Sequence, residues 1–166
     1  MDWNAWKPDV CSALCYIRRG DEVLLIRKKR GWGAGKISGP GGKLEPGESA
    51  EEAAVRETRE ETGVTPHHLR RLGDLHFQYA GNHALQCAVF LAMNHEGNPR
   101  ESDEAAPFWA HISKLPLDQM WEDDRYWLPD FLEGKSFRAY FEFEGDRMFS
   151  HRIKWEKNGE FDEKIA

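Results

Sequence analysis

Three acids in this sequence are spaced so that they could act together on one ligand. Glu57, Glu60 and Glu61 stand at positions i, i+3 and i+4, so a helix would carry them on one face. Like charges at this spacing destabilise a helix by roughly 0.2–0.5 kcal/mol per pair. Carboxylate oxygens are also the ligands that Mg²⁺ and Mn²⁺ prefer. The spacing therefore predicts either a divalent-metal site or a solvated acidic face.

A glycine-rich stretch precedes these acids. Seven of the 15 glycines lie between Gly31 and Gly47, and a basic run, residues 27–30, comes directly before them. Glycine lets the backbone approach other groups more closely than a residue with a Cβ atom allows. We therefore expect the pair Gly41 and Gly42 to let a main-chain carbonyl reach a metal held by the acids.

The acids need a helix and a sheet to position them. The clearest helix is Ser49 to Thr62, because Ser49 and Glu52 form a capping box and Gly63 and Pro66 follow its end. A second helix is predicted at Arg125 to Leu132. Alternation and turn residues predict strands at Val10 to Ile17 and Glu22 to Arg27, and we expect these two to form a hairpin. The same signals predict further strands at Leu72 to Tyr79, Leu85 to Met93, Phe108 to His111, Phe137 to Phe143 and Met148 to Trp155.

These elements predict an α+β fold with a mixed β-sheet flanked by helices. The 166 residues suit a single domain, and we expect the polar end, Glu156 to Ala166, to fray.

No apolar run approaches the ~20 residues of a membrane-spanning helix, and Met1 to Val10 has no signal-peptide core. Three cysteines, an odd number without metal-ligand spacing, predict reduced thiols and a cytoplasmic protein. The net charge of −6 argues against a nucleic-acid polymer as partner.

The frame around the acids resembles the Nudix box of the Nudix (MutT-like) hydrolases. All seven fixed positions of that pattern are present, namely Gly42, Glu48, Arg56, Glu57, Glu60, Glu61 and Gly63. One position departs, since Thr58 stands where the family usually has a bulky aliphatic residue, which weakens one core contact of the helix. The resemblance implies an α/β/α sandwich, with residues 1–166 as one domain and the box at 42–64. It also implies hydrolysis of a nucleoside diphosphate linked to a further group.

The same resemblance implies the metal site and the catalytic acids. The implied ligands of Mg²⁺ or Mn²⁺ are Gly41, Glu57, Glu60, Glu61 and Glu104. Glu61, Glu60 and Glu104 are the candidate catalytic acids, and which of them would be the general base stays open. Arg56 and Glu48, if they are close in the fold, would pair and hold the loop against the helix.

Segments outside the box resemble the branch of the family that hydrolyses oxidised purine nucleoside triphosphates. The match covers roughly Val23 to Phe143 and implies these substrate-binding residues: Lys28, Trp32, Ser38, Gly42, Lys43, Phe77, Trp121, Asp123 and Asp124. Ser38 replaces an Asn of that branch, and Gln86 and Ala105 replace two methionines of its pocket. The implied reaction releases a nucleoside monophosphate and pyrophosphate.

Two alternatives remain at this stage. Asp123 and Asp124 either contact the nucleobase, sharing a proton, or are solvated and cap the helix that follows. The substrate is either an oxidised purine nucleotide such as 8-oxo-dGTP or another nucleotide, such as an ordinary (d)NTP, a nucleotide sugar or an RNA 5′ end. A non-catalytic nucleotide-binding module is less favoured, because all four glutamates of the box are present. We expect a small-molecule nucleotide as partner, and a monomer or a homodimer.

Overall fold

A computed structural model describes residues 1–157 and the backbone of residues 160–165. In this part of the chain the strands are β1 Val10–Arg19, β2 Glu22–Lys28, β3 Ile37–Ser38, β4 Gly41–Lys43, β5 Thr65–His67, β6 Arg70–Tyr79, β7 His83–Ala92, β8 Asn94–Glu96, β9 Ala105–His111, β10 Phe137–Glu144, β11 Arg147–Lys157 and β12 Glu160–Ile165. The α-helices are α1 Ala50–Thr62 and α2 Asp124–Leu132. Short 3₁₀ turns occupy Ile112–Lys114 and Leu117–Gln119.

The strands form a mixed sheet with a helix on each face. Its order is β12-β11-β10-β6-β7-β1-β2-β3, with β4 also paired to β1 and β9 to β2, while β5 and β8 pair separately. Strand β1 runs parallel to β7, and β6 runs antiparallel to β7. Ala53 and Ala54 of α1 pack in one core cluster, and Trp127 and Phe131 of α2 pack in the other. The predicted α+β class and α/β/α sandwich are confirmed.

Helix α1 begins and ends as its sequence predicts. The Ser49 side chain accepts a hydrogen bond from the Glu52 N–H, and the Glu52 carboxylate accepts one from the Ser49 N–H. Gly63 ends the helix at φ 75°, in the left-handed region that glycine adopts without strain. Thr58 is fully buried, and its hydroxyl donates to the Ala54 carbonyl at 2.7 Å. The polar group that replaces an aliphatic one is therefore satisfied within the helix.

Strand β1 divides its pairing between several neighbours, and this creates space beside it. Near its start, Ser12, Ala13 and Leu14 pair with β4, whereas β2 pairs only with Arg18 and Arg19 at its end. The predicted hairpin is confirmed at its turn, where the end of β1 pairs antiparallel with the start of β2, and the two strands diverge beyond it. Residues 37–43 fill part of the gap as β3 and β4.

One further expectation needs correction. The end of the chain does not fray at Glu156 and Lys157, which belong to β11, and the backbone of residues 160–165 pairs with β11 as β12. Residues 158, 159 and 166, which also fell in that expectation, lie outside the described residues. Helix α2 continues through Pro129. Within the described ranges, no helix combines the length and the apolar character needed to cross a membrane.

Candidate active site

The glycines of β4 allow the backbone to pass between β1 and α1. A Cβ atom on Gly42 would lie 2.6 Å from the Glu57 carboxyl carbon, and one on Gly41 would lie 2.1 Å from the Ala13 carbonyl oxygen. The Gly41 N–H donates to Glu61 Oε1 at 2.9 Å. Because no other residue type fits at these two positions, the glycines fix the distance between the sheet and the acidic face of α1.

Arg56 joins the loop before α1 to the helix, as the sequence predicted. Its Nε and Nη2 atoms donate to the two carboxylate oxygens of Glu48 at 2.7 and 2.8 Å. Nη1 also donates to Glu57 Oε1 at 2.9 Å, and Nη2 donates to the Lys43 carbonyl at 3.1 Å. Bidentate pairs of this kind are among the stronger hydrogen bonds in proteins. Hydrogen bonds from Arg56 lower the pKa of Glu48 to about 2.

Glu60 and Glu61, the last two acids of the box, differ in their exposure to solvent. Glu60 is half-exposed and reaches Arg56 at 3.4 Å. Glu61 is 2% exposed, and burial, followed by the charges of Glu57 and Glu104, raises its pKa to about 8. Burial likewise raises the pKa of Glu57. These carboxyl groups therefore repel one another in a partly buried space.

Glu104 reaches the same region from the loop before β9. The Ser102 hydroxyl donates to the Glu61 carbonyl at 3.0 Å and accepts from the Glu104 N–H at 3.3 Å. The Glu104 carboxylate contacts Arg30 at 3.3 Å. The loop is thus tied to the end of α1 by Ser102, although its sequence distance from the box is about forty residues.

The donor set fits a divalent cation in its chemistry. It offers hard carboxylate oxygens, and burial raises the pKa of Glu61 to about 8, so a bound cation would favour its ionised form. Among the described residues, no three His, Cys, Asp or Glu side chains already converge on one point. Glu57 and Glu60 are held by Arg56 instead. A cation would therefore have to compete with Arg56 for these two carboxylates.

A cavity of about 250 Å³ opens on the α2 side of the sheet. All nine predicted substrate-binding residues line it: Lys28, Trp32, Ser38, Gly42, Lys43, Phe77, Trp121, Asp123 and Asp124. Gly41 and Glu61 line it as well, whereas Glu57, Glu60 and Glu104 do not. The cavity therefore extends from Trp121, Asp123 and Asp124 to Glu61, the most buried of the carboxylates proposed to bind the metal.

The mouth of the cavity carries two tryptophans. Trp32 is 59% exposed and stacks on Trp121 with ring centroids 5.9 Å apart and planes 11° apart. The Lys36 ammonium lies 4.7 Å from the Trp121 ring centroid. These flat faces suit contact with a planar base, and Lys36 adds a cation that the sequence interpretation did not single out.

Asp123 and Asp124 form a buried pair at the inner wall. They are 3% and 5% exposed, and Trp127 Nε1 donates to Asp123 Oδ2 at 2.9 Å. Burial raises the pKa of both carboxyls, and the negative charge of Asp123 raises that of Asp124 further. Burial together with the charge of Asp123 therefore favours a proton on Asp124. The alternative, in which solvated aspartates cap α2, is wrong, because Asp123 at the N-cap makes no side-chain capping hydrogen bond.

Two pocket positions inferred from the resemblance are wrong. Gln86 and Ala105 do not line the cavity. The period of two along β7 turns Leu85 and Cys87 toward it instead. The inference also missed Tyr16 and Tyr79, which line the cavity from β1 and β6. Alternate residues of a strand share a face, so Tyr16 could have been placed in the cavity together with Ser12 and Leu14 from the sequence of β1.

Comparison with known proteins agrees with the fold. A family model described as NUDIX domain matches residues 9–131, and the chain belongs to this family of hydrolases. Members of this family generally need a divalent metal ion.

Curated relatives and a solved structure are similar over most of the chain. The oxidized purine nucleoside triphosphate hydrolase of Danio rerio is 47% identical over 133 residues, which are 79% of this chain and 85% of the relative. The Mus musculus protein of the same name is 36% identical, over 85% of this chain and 92% of its own. The crystal structure of a MutT protein from Bacillus halodurans superposes with a TM-score of 0.76 at 27% identity, covering 87% of this chain and 97% of that chain.

Proposed function

We propose that this protein hydrolyses oxidised purine nucleoside triphosphates, such as 8-oxo-dGTP, to the nucleoside monophosphate and pyrophosphate. One observation carries the proposal: a single cavity joins the buried Asp123–Asp124 pair to Glu61 and Lys28. Groups that suit a purine edge thus lie in the same space as groups that suit a phosphate chain. The names of the zebrafish and mouse relatives agree with this assignment.

The base would enter between the aromatic rings and the aspartate pair. An ionised Asp123 accepts a hydrogen bond and a protonated Asp124 donates one, so the pair offers a matched edge to a purine that presents both a donor and an acceptor. Trp121 and Trp32 supply flat apolar faces, and Phe77 closes the inner wall. Ser38 adds a hydroxyl, which here donates to the Gly39 carbonyl at 3.0 Å.

The phosphate chain would extend toward the glycines of β4. Lys28 and Lys43 line this end of the cavity and would neutralise phosphate oxygens. The groups that would hold Mg²⁺ or Mn²⁺ are the Gly41 carbonyl and the carboxylates of Glu57, Glu60, Glu61 and Glu104. When bound, such an ion neutralises phosphate charge and lowers the pKa of a water molecule.

Glu60, Glu61 and Glu104 are the proposed acids and bases of the reaction. Removal of a proton from the attacking water requires a carboxylate near the phosphate chain. Glu61 suits this role, because it lines the cavity and is held by the Gly41 N–H. Arg56 and Glu48 would keep the helix and the loop in register while the substrate binds.

The experiment that tests the proposal compares turnover of 8-oxo-dGTP, dGTP, dATP, ADP-ribose and a triphosphorylated RNA, each with Mg²⁺, with Mn²⁺ and with a chelator. We expect the highest kcat/KM for an oxidised purine triphosphate, and no turnover with the chelator. A preference for ADP-ribose or RNA would assign another nucleotide, and turnover of none of them in the presence of either ion would favour a binding module.

The bond that breaks is a separate part of the proposal. Hydrolysis in ¹⁸O-labelled water, followed by mass spectrometry of both products, identifies the phosphorus that is attacked. We expect nucleoside monophosphate and pyrophosphate in equal amounts. Release of orthophosphate from the triphosphate would contradict this assignment.

We also propose a cytoplasmic location and one domain across residues 1–166. All three cysteines are free thiols, two of them buried, which agrees with a reducing compartment. Whether the protein is a monomer or a homodimer stays a prediction, which sedimentation of the purified protein would test.

A further inference from the structure

Tyr16 is a polar residue at the inner wall of the cavity, and the site described above does not explain it. Along β1, Ser12, Leu14 and Tyr16 face the cavity, while Ala13, Cys15 and Ile17 pack with α1 in the opposite core cluster. Tyr16 is fully buried, with its ring edge against Trp127 and Phe131 at centroid distances of 5.9 and 5.6 Å. The ring is therefore held in place by packing.

The hydroxyl of Tyr16 has no hydrogen-bond partner of good geometry among the described residues. A buried hydroxyl without a partner is unfavourable, so native structures rarely keep one without a reason. A phenylalanine would fill the same space without this penalty. Among the described residues, the hydroxyl therefore has only the Gly39 backbone as a poorly aligned neighbour, and a bound ligand would offer a better partner.

The surroundings of this hydroxyl are the groups proposed to bind the base. A Cβ atom on Gly39 would lie 2.6 Å from Tyr16 Cζ, so the phenolic end of the ring lies against the backbone next to Ser38. Burial raises the pKa of Tyr16, and the charge of Asp124 raises it further, whereas contact with the Gly39 backbone lowers it. The hydroxyl therefore stays protonated, and it lies between Gly39 and the aspartate pair.

We infer that the Tyr16 hydroxyl is a direct hydrogen-bond contact to the purine base and a determinant of which purine the site accepts. The inference rests on the proposed function, because it takes the occupant of the cavity to be a nucleobase. A base edge held by Asp124 would lie beside the hydroxyl, which donates to a carbonyl or ring nitrogen and accepts from an amino group. A base that offers neither group there leaves the hydroxyl unpaired and is disfavoured.

The test compares wild-type protein with Tyr16→Phe and with Tyr140→Phe as the matched control. Tyr140 lies outside the cavity and stacks on His76 at 4.6 Å. Three quantities are measured: the melting temperature, kcat/KM for 8-oxo-dGTP, dGTP, dITP and dATP, and the calorimetric affinity for 8-oxo-dGMP without divalent ions.

For Tyr16→Phe we expect an unchanged or higher melting temperature, because an unpaired hydroxyl is removed. We expect kcat/KM for the preferred purine to fall about 5- to 150-fold, the scale of one lost hydrogen bond to a buried group. The loss should differ at least about fivefold between purines, and the affinity for the monophosphate should fall with it. Tyr140→Phe should leave kcat/KM unchanged for every nucleotide.

Several results would overturn the inference. A lower melting temperature, or failure of Tyr16→Phe to fold, would assign the hydroxyl a structural role. An equal loss for all four nucleotides, or no loss, would exclude a specificity role. A wild-type protein that hydrolyses none of the nucleotides, yet binds 8-oxo-dGMP more tightly than Tyr16→Phe does, would refute the proposed function and leave the inference standing.

Discussion

Replacing Asp124 with asparagine would test the shared proton that we propose for base recognition. Asp124 is 5% exposed, and burial together with the charge of Asp123 raises its pKa well above the ordinary value. In the unfolded chain the same carboxyl ionises near pH ~3.9. Between these two pKa values the native state holds a proton that the unfolded state has released.

The sign and size of the effect follow from this difference. Because the native state binds one more proton, the free energy of unfolding falls as the pH rises, by about 1.4 kcal/mol per pH unit. The fall begins above the unfolded pKa and stops at the raised native pKa. Asparagine cannot titrate, so Asp124→Asn should lose this one-proton slope. It should also be more stable than wild type at the upper end of the interval.

The assay is urea unfolding at several pH values from about 5 to 7 without divalent ions, since ~1.4 kcal/mol per unit is readily resolved there. Asp118→Asn, at an exposed aspartate of a 3₁₀ turn, is the matched control and should keep the wild-type slope. Glu61 also has a raised pKa, but all three proteins share it, so it cancels in the comparison. Parallel slopes for wild type and Asp124→Asn would refute the shared-proton reasoning.

The same substitutions bear on base recognition. Asp123→Asn and Asp124→Asn should each change the ratio of kcat/KM between 8-oxo-dGTP and dGTP, by about 5- to 150-fold. An unchanged ratio together with reduced stability would mean that the pair supports the fold and does not contact the base. The protein would then be a nucleotide pyrophosphatase of broad range.

Further predictions concern the metal and loop elements. Glu61→Gln should reduce turnover at least about 10²-fold. Without metal, the variant should fold with equal or greater stability than wild type, because a repulsion between carboxylates is removed. Near-full activity of Glu61→Gln would show the site assignment to be wrong. Arg56→Ala should lower the free energy of unfolding by about 1.5–3 kcal/mol, since it removes the bidentate link to Glu48. Arg59 is an exposed residue of the same helix and serves as the control. Arg59→Ala should change the free energy of unfolding by less than about 0.5 kcal/mol. A loss as large for Arg59→Ala would contradict the role given to the link.

Local patterns were enough to predict the elements that carry the site. The capping box of Ser49 and Glu52 and the glycine at position 63 define both ends of α1. The i, i+3, i+4 spacing places Glu57, Glu60 and Glu61 on one face. These features are encoded within a few residues, because capping and helical periodicity depend on neighbours in sequence.

Side-chain contacts across the chain required the tertiary structure. Strands β3 and β4, of two and three residues, are too short to show a periodic pattern, and they lie where β1 and β2 diverge. A similar limit applies to the pocket, where Leu85 rather than Gln86 faces the cavity. A shift of one residue in a strand exchanges its two faces, and only the pairing with neighbouring strands fixes that register.

The sequence by itself determined the family, the helix that carries the acids and the nine predicted substrate-binding residues that line the cavity. The tertiary structure decided the state of those residues. Burial of Asp123 and Asp124 together raises the pKa values of both carboxyls, and packing leaves the Tyr16 hydroxyl without a well-aligned partner among the described residues. Both properties arise because desolvation and long-range contacts depend on atoms far apart in sequence, and no local pattern records them.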